Sequence, residues 1–464
     1  TAEICGGATN VTAYSQRLYT GSPGGSYLVA VTDPLGNVTT NHYSGDGTPY
    51  RSGGAAYPHT TVRDTDGNRT ELRTWRDEGG QPDVTRWLYD HATGLVTNKV
   101  YADGSRVRYA YTPDGRLSRR TWARGVETAH TYVETAAGSV RAATHSDGTP
   151  GVTDTYDLAG RLVEVADGTG TRTFAYDARG RATAETNALA VIERCRDSAG
   201  REAGYDLLLP AFSAVPFNVR YGYDGVGRIS AVTSSLGAAT NGFTLSYLTG
   251  TALLSGIASD GGIERRVTYE QNRDLISAVS NHVNHVNPVL ISAYDYANDA
   301  AGRRVSRNAD SFTFNSRSEV IGAAIGTNSY GYAYDAIGNR VWSAANTLTN
   351  TYAANCLNQY TAVTPSVAVA YDADGNMTRL GDWYHAWDAE NRLVRSEPGW
   401  GGATNGARRV FNRYDHKSRL VETRVEVLSG RGAGYPMDPS QPGTWDTVET
   451  RIFIYDGWLP VLEK

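Results

Sequence analysis

Tyr156-Asp157-Leu158-Ala159-Gly160-Arg161-Leu162 is followed by Tyr176-Asp177-Ala178-Arg179-Gly180-Arg181, the same phrase 20 residues later. It returns as Tyr223-Asp224-Gly225-Val226-Gly227-Arg228-Ile229, Tyr334-Asp335-Ala336-Ile337-Gly338-Asn339-Arg340 and Tyr371-Asp372-Ala373-Asp374-Gly375-Asn376. Looser copies start at Asp33, Asp64, Tyr89, Asp197, Asp299, Trp387, Tyr414 and Tyr455. Self-similarity at a short fixed period is the mark of a repeat architecture. Here the unit is about 20 residues, interrupted by insertions.

Every position of the phrase has a physical reason. The aromatic ends a strand and offers a large flat surface. The Asp behind it folds its carboxylate onto backbone N–H groups two residues on, an Asx-turn. The Gly three places after the Asp supplies the positive φ of such a turn, which Asn also tolerates, as at Asn391. Arg-Leu or Arg-Ile then restarts a strand. The Arg reads either as an anion-binding stripe or, the reading favoured, as a guanidinium that stacks on a neighbouring Tyr or pairs with a turn Asp. A carboxylate that recurs at turn after turn is structural, because catalysis needs one special copy. The five best copies above are therefore expected to be scaffold, not active site.

A second turn lies half a unit away, at Asp103-Gly104, Asp167-Gly168 and Asp260-Gly261. Between turns the chain alternates. In Arg106-Val107-Arg108-Tyr109-Ala110-Tyr111 the set Val107, Tyr109, Tyr111 faces one way and the remainder the other. Each unit is one β-hairpin, which cannot hold itself together in water, so the next hairpin must complete it. The expectation is an all-β, winding antiparallel sheet of stacked hairpins over 31–464. Residues 1–30 are expected as an irregular lead-in or a degenerate repeat. Insertions are expected near 281–288 and 429–443, with a smaller one at 21–26, and Gly53-Gly54 and Gly401-Gly402 read as loops.

Composition agrees. Of 464 residues, 51 are Gly and 30 Tyr while 2 are Met, and no segment holds a helical apolar period for three turns. Lys+Arg 44 against Asp+Glu 49 leaves a charge of −5, which gives no electrostatic case for nucleic acid or an anionic membrane. No run approaches the roughly 18 apolar residues of a membrane span. Thr1 is neither an initiator nor the start of a signal peptide, so the chain is expected to be a piece of a longer one. Cys5, Cys195 and Cys356 are too few for a disulfide framework and leave at least one free thiol.

With these residues in view the chain resembles the RHS/YD-repeat family, whose consensus runs Tyr-Asp-x-x-Gly-Arg-Leu, as at Tyr156 to Leu162. The resemblance extends from about Asp33 to Asp456. Members include bacterial polymorphic toxins, shell-forming components of insecticidal toxin complexes and teneurins. It implies hairpins that spiral into a hollow shell, around a toxic C-terminal domain or as an adhesion platform. Members with cargo carry a plug core and self-cleaving Asp residues beyond the repeats. This sequence ends at Tyr455-Asp456-Gly457-Trp458 and six further residues, so no such residues are assigned. The resemblance also implies a secreted or cell-surface location.

Other chemistry is thin. His282 and His285 form the one close His pair, in a segment that breaks the repeat, and read as a polar loop rather than a metal site. Asp64-Thr65-Asp66-Gly67-Asn68 and Asp372-Ala373-Asp374-Gly375-Asn376 echo half a calcium loop but lack the later Glu; a calcium-tightened turn stays open there. No nucleophile elbow, phosphate loop or dinucleotide fingerprint appears, and no cofactor is expected. The leading reading is a non-enzymatic shell or scaffold segment, its partners a C-terminal core or toxin cargo, or neighbouring shell segments. The alternative is a cell-surface adhesion or carbohydrate-binding module, in which Trp383, Trp387 and Trp400 stack on sugar rings; core filling is the plainer role for them. A hydrolase confined to residues 1–31 would be too short for a domain.

Overall fold

The computed structural model describes all residues except 1, 6–7, 20–25, 78, 211–212, 284–286, 366, 400–403, 431–442 and 464, with backbone only at 2–5, 8–11, 18–19 and 213–214. Residues 21–25 and 431–442 of the expected excursions at 21–26 and 429–443, and 284–286 of the one at 281–288, therefore lie outside the described residues.

Among the described residues there is no helix, and strand follows strand in antiparallel order. The strand Val152–Asp157 pairs with Leu162–Asp167, that strand with Gly170–Tyr176, and that one with Ala182–Thr186. Alternation decides which face is covered. Along Arg106–Tyr111, Val107 is buried and Tyr109 and Tyr111 half-buried, while Arg106, Arg108 and Ala110 are exposed. The strand register shifts by one residue at the aromatic before each turn, between Thr155 and Tyr156, Ala175 and Tyr176, Ala333 and Tyr334, and Ala370 and Tyr371. This bulge belongs to the repeat: the extra residue turns the strand end so that the aspartate leads into the turn. Gly53 and Gly54 are not a loop. They end the strand Pro49–Gly54, opposite Thr40 and Thr39, where a Cβ on Gly54 would come 2.3 Å from the Val38 carbonyl oxygen.

The chain divides into two compact units. The first comprises residues 1–87, 101–103 and 219–365. Val219, Val267 and Val279 are among its buried residues. Here the chain meets itself far along the sequence. The Ala336 N–H donates to the Arg76 carbonyl (3.1 Å), the Arg76 guanidinium to the Ala354 carbonyl (2.7 Å) and the Tyr57 hydroxyl to Glu319 (3.2 Å).

The second unit comprises 88–100, 104–218 and 366–464. An early ladder runs from Arg106–Tyr111 to Glu202–Leu209 and a late one from Val369–Tyr371 to Leu459–Glu463. Val107, Val165, Ile192, Leu207, Leu428 and Ile454 are buried in it. In an antiparallel ladder successive turns alternate between two ends. The turns at 112–116, 157–161, 177–181 and 197–201 fall at one end of the early ladder, and those at 122–126, 145–151 and 167–170 at the other.

Candidate functional site

The recurring feature is the turn itself. At Asp157 the main-chain N–H donates to the Arg161 carbonyl (2.9 Å), and the Gly160 N–H returns to the Asp157 carbonyl (2.9 Å). Asp157 Oδ1 accepts the N–H groups of Ala159 and Arg161, both at 2.9 Å, and Oδ2 accepts the Arg161 Nε–H at 2.7 Å. Asp177 is bound in the same way by Arg179, Gly180 and Arg181, and Asp224 by Val226, Gly227 and Arg228. At Asp335 and Asp372 an Asn takes the Arg's place, with Asn339 and Asn376 donating Nδ2–H at 2.8 and 2.9 Å. The main-chain N–H and then the guanidinium of Arg161 hold the Asp157 carboxyl below its ordinary range, and Arg181 does the same for Asp177. These carboxylates are already occupied by their own turns.

The Arg has two tasks at once. Arg161 pairs with its own Asp157 and also lies over the Tyr176 ring of the next hairpin, 5.0 Å from the centroid. Arg228 lies over Tyr247 at 4.3 Å, Arg392 over Tyr414 at 5.2 Å and Arg419 over Tyr455 at 5.1 Å. The tyrosine hydroxyl reaches back: Tyr176 donates to the Leu162 carbonyl and Tyr247 to that of Ile229, both at 2.7 Å. Tyr156 sits under Arg141, and Arg181 reaches the Gly200 carbonyl. Tyr223, Tyr334 and Tyr371 end their strands at the same pre-turn place, and Gly227 and Gly375 hold φ of 89° and 93°.

Sequence reasoning missed copies whose first residue is not Asp. Asn315 and Asn355 accept from two N–H groups as the aspartates do, and Thr112-Pro113-Asp114-Gly115-Arg116 and Trp122-Ala123-Arg124-Gly125-Val126 close with the same pair of main-chain bonds. The surviving signal was the left-handed residue three places on: Gly115, Gly125, Ser318 and Asn358 hold φ of 82°, 88°, 62° and 62° there.

The other candidates separate. Asp64 Oδ1 accepts from the N–H groups of Asp66 and Asn68, and Asp374 lies 2.6 Å from Arg124 Nε, so both half-loops are engaged by protein donors. Among the described residues no group of three or more His, Cys, Asp or Glu could hold a metal ion. His282 lies in the strand Ile276–Val283, and His285 lies outside the described residues. Cys195 and Cys356 are free thiols. Trp383 is 42% exposed, Trp387 gives its indole N–H to the Met377 carbonyl, and Trp400, like Gly401 and Gly402, lies outside the described residues.

Within the second unit, turns of the late ladder seat on the far-end turns of the early one. Asp374 accepts from the Arg124 N–H (2.9 Å). Trp122 donates its indole N–H to the Ala389 carbonyl (2.7 Å), and the Ala389 N–H donates to Thr149 Oγ1 (2.9 Å). Arg120 pairs with Glu390 (2.6 Å). The His416 N–H donates to Asp167 Oδ2 (2.7 Å), Arg413 to the Gly168 carbonyl (2.9 Å), and Arg194 pairs with Asp456. Arg172, paired with Glu185, lies 3.6 Å from Asp415, which also binds Arg419 and is 1% exposed. Burial pushes the Asp167 carboxyl up, but hydrogen bonds from His416 and Thr169 outweigh it and hold the group at about 2. Burial raises Asp374 despite Arg124, and raises Asp154 against the pull of His416 and Arg141. A cavity of about 340 Å³ opens beside these contacts, lined by Thr149, Asp167, Trp387, Asn412, Arg413 and Tyr414. Asn412 donates to the Leu393 carbonyl and accepts from Thr423, so its amide is engaged on both sides. What this arrangement does chemically is hold.

Repeat and turn together define a chain of stacked β-hairpins, and the RHS repeat model matches residues 156–191 of it. The fold is similar to that of a Photorhabdus luminescens Tc holotoxin pore carrying the TccC3 mutation D651A (TM-score 0.66, 13% identity, 93% of this chain and 25% of that one). It is similar also to TcdB2-TccC3 (TM-score 0.65, 14% identity, 97% and 27%) and to TcdB2-TccC3 without its hypervariable C-terminal region (0.52, 12%, 96% and 34%). The chain thus spans about a quarter to a third of the structures it matches. A search of curated proteins finds no match.

Proposed function

We propose that this chain is a structural segment of an RHS-type shell, non-enzymatic, which encloses or presents another polypeptide segment outside the cell. The observation that carries the reading is the fate of the carboxylates in the five best copies, each bound by two main-chain N–H groups and an Arg or Asn of its own turn. Chemistry is built into rigidity, turn by turn. The Tc toxin relatives support the same reading at the level of fold. Among the described residues no helix is long and apolar enough to cross a membrane. The partner is a core or cargo polypeptide, or adjoining shell segments.

The test is protection. A protease-sensitive polypeptide appended after Lys464 is expected to survive proteinase K at a dose that destroys the same polypeptide alone. Digestion of the appended segment at an unchanged rate, with the hairpin array intact, would remove the enclosing role.

A further inference from the structure

In the second unit the seated turns carry an acid across to an arginine, with one exception. Asp374 faces Arg124, Glu390 faces Arg120 and Asp456 faces Arg194. A guanidinium does not titrate, so each of these seats keeps its cation at every pH. At the turn 415–419 the signs are exchanged. The acids, Asp154 and Asp167, belong to the early ladder, and the late turn brings His416.

The contact is incomplete as it stands. The His416 main-chain N–H reaches Asp167 Oδ2 at 2.7 Å, but the ring Nδ1 stops 3.6 Å from the same oxygen. Both ring nitrogens of His416 and Oδ1 of Asp154 are buried and have no hydrogen-bond partner among the described residues. Bulk water cannot complete atoms closed off in this way, whereas a proton can. The cations around them are engaged elsewhere. Arg141, directly across from Asp154, is exposed and lies over the Tyr156 ring at 4.6 Å, so its pull on Asp154 is screened. Arg172 binds Glu185 and lies 3.6 Å from Asp415, and Arg419 binds Asp415. Arg413 binds Glu422 and the Gly168 carbonyl, and Lys417 is exposed. His416 is left as the group that can place a positive charge between the two acids.

We propose that the seat of turn 415–419 is a proton-dependent latch, in which one proton taken up by His416 and Asp154 tightens the late ladder onto the early one. A neutral imidazole has one N–H and one lone pair, and a lone pair turned to a carboxylate repels it; the protonated ring donates from both nitrogens. Burial of Asp154, which raises its carboxyl, favours the same uptake from the other side. A proton held more tightly in the seated state stabilises the seat below the ordinary imidazole range, near about 6.5, and that contribution is lost as pH rises. Under strong acid the Asp167 share is lost in turn, as pH falls from about 4 towards 2. The latch is thus tightest in mild acid. It rests on the seating geometry alone and not on the enclosing role proposed above.

Amide hydrogen exchange of the whole chain, read as protection factors from about pH 8 to about pH 5.5, tests it across the imidazole range. Protection of the His416 and Lys417 amides is expected to rise on acidification, by up to about tenfold per pH unit, the limit for one proton. The turns at 157–161 and 177–181 in the same molecule are expected to show no such rise. His416→Gln keeps a polar side chain of similar reach and should abolish the rise, while Asp154→Asn, which leaves the ring one carboxylate, should reduce it. Circular dichroism of each variant establishes that the strands persist. Protection at 416–417 that does not change with pH in the parent chain would overturn the proposal. So would a rise that survives His416→Gln, one that Asp154→Asn leaves at full size, or one shared equally by the reference turns.

Discussion

An aspartate in this fold is worth what its partners and surroundings make it. Asp157 and Asp388 have the same internal bonds, but the tip beyond Asp157 is bare and the one beyond Asp388 is covered. Replacing Asp388 by Ala strands the Glu390 and Arg392 N–H groups and leaves the Arg392 guanidinium without its carboxylate in a part-buried place. The expected loss is about 2–4 kcal/mol by chemical denaturation. Asp157→Ala should cost clearly less in the same assay. Two half-buried carboxyls, Asp167 and Asp154, behave in opposite senses with pH. Asp167 is held at about 2 against an ordinary 3.8, so its stabilisation is complete above the ordinary value and is lost as pH falls from about 4 towards 2. At neutral pH this amounts to about 2 kcal/mol. Asp167→Asn should therefore be less stable than the parent at pH 7, with the gap closing as both are acidified. Asp154 is raised by burial, so its ionised form opposes folding as pH rises through the folded value. Asp154→Asn should raise the melting temperature at pH 7 and lose that advantage below about pH 4, where the wild-type group is protonated in both states. Melting curves across pH 3 to 8 read both effects.

At the scale of the hairpin, most of the structure was legible in the sequence. Turn, left-handed residue and returning strand each follow from a residue type at a fixed place. The bulge at the aromatic was not, because a one-residue register shift changes no residue's preference; it changes only which residues face each other. Nor was Arg161 resolved between its two partners, because a sequence shows neither the Asp157 pair nor the Tyr176 stack, and the long side chain reaches both. The left-handed place gives a graded prediction. Gly160 has φ of 74° and open space where a Cβ would stand, so strain alone sets the cost of a side chain. Gly160→Asn should be tolerated, as Asn391 is in the equivalent position. Gly160→Val should lose about 1–2 kcal/mol, because a β-branched residue has no easy left-handed conformation. Tyr176→Phe keeps the Arg161 stack and removes only the bond to Leu162, a loss of about 1 kcal/mol. Denaturant titration of the three variants side by side gives the order.

At the largest scale, the second unit holds together through contacts that no local pattern announces. Arg124 and Asp374 are separated by 250 residues and Trp122 and Ala389 by 267, and neither pair has a motif of its own. A trace was present all the same. Seated turns carry an acid or a histidine one or two places after the first position (Asp374, Glu390, His416), whereas the bare ones carry Leu158-Ala159, Ala178-Arg179 and Ser198-Ala199. Acids at those places need a cation, and Arg120 and Arg124 answer them. Arg124 is the pivot, since it binds Asp374 through main chain and guanidinium and also reaches the Trp387 carbonyl. The Asp374 side chain is 0% exposed, and burial raises its carboxyl even with Arg124 beside it. Arg124→Met therefore leaves a buried carboxylate with no counter-charge, which costs about 3–5 kcal/mol when one partner of such a pair is removed. The carboxylate's response is to take up a proton, so the variant should regain stability as pH falls from 7 towards 4. Adding Asp374→Asn to Arg124→Met should restore most of the loss at pH 7 and abolish that pH dependence, because the stranded charge and not the missing contact is the larger cost. Hydrogen exchange is the measurement that separates the cases. Arg124→Met should release protection first in the turns at 372–376 and 388–392, leaving the hairpins at 157–161 and 177–181 unchanged. Equal loss of protection across both ladders would mean that the late turns are not latched by Arg124 but fold and unfold with the strands they sit on.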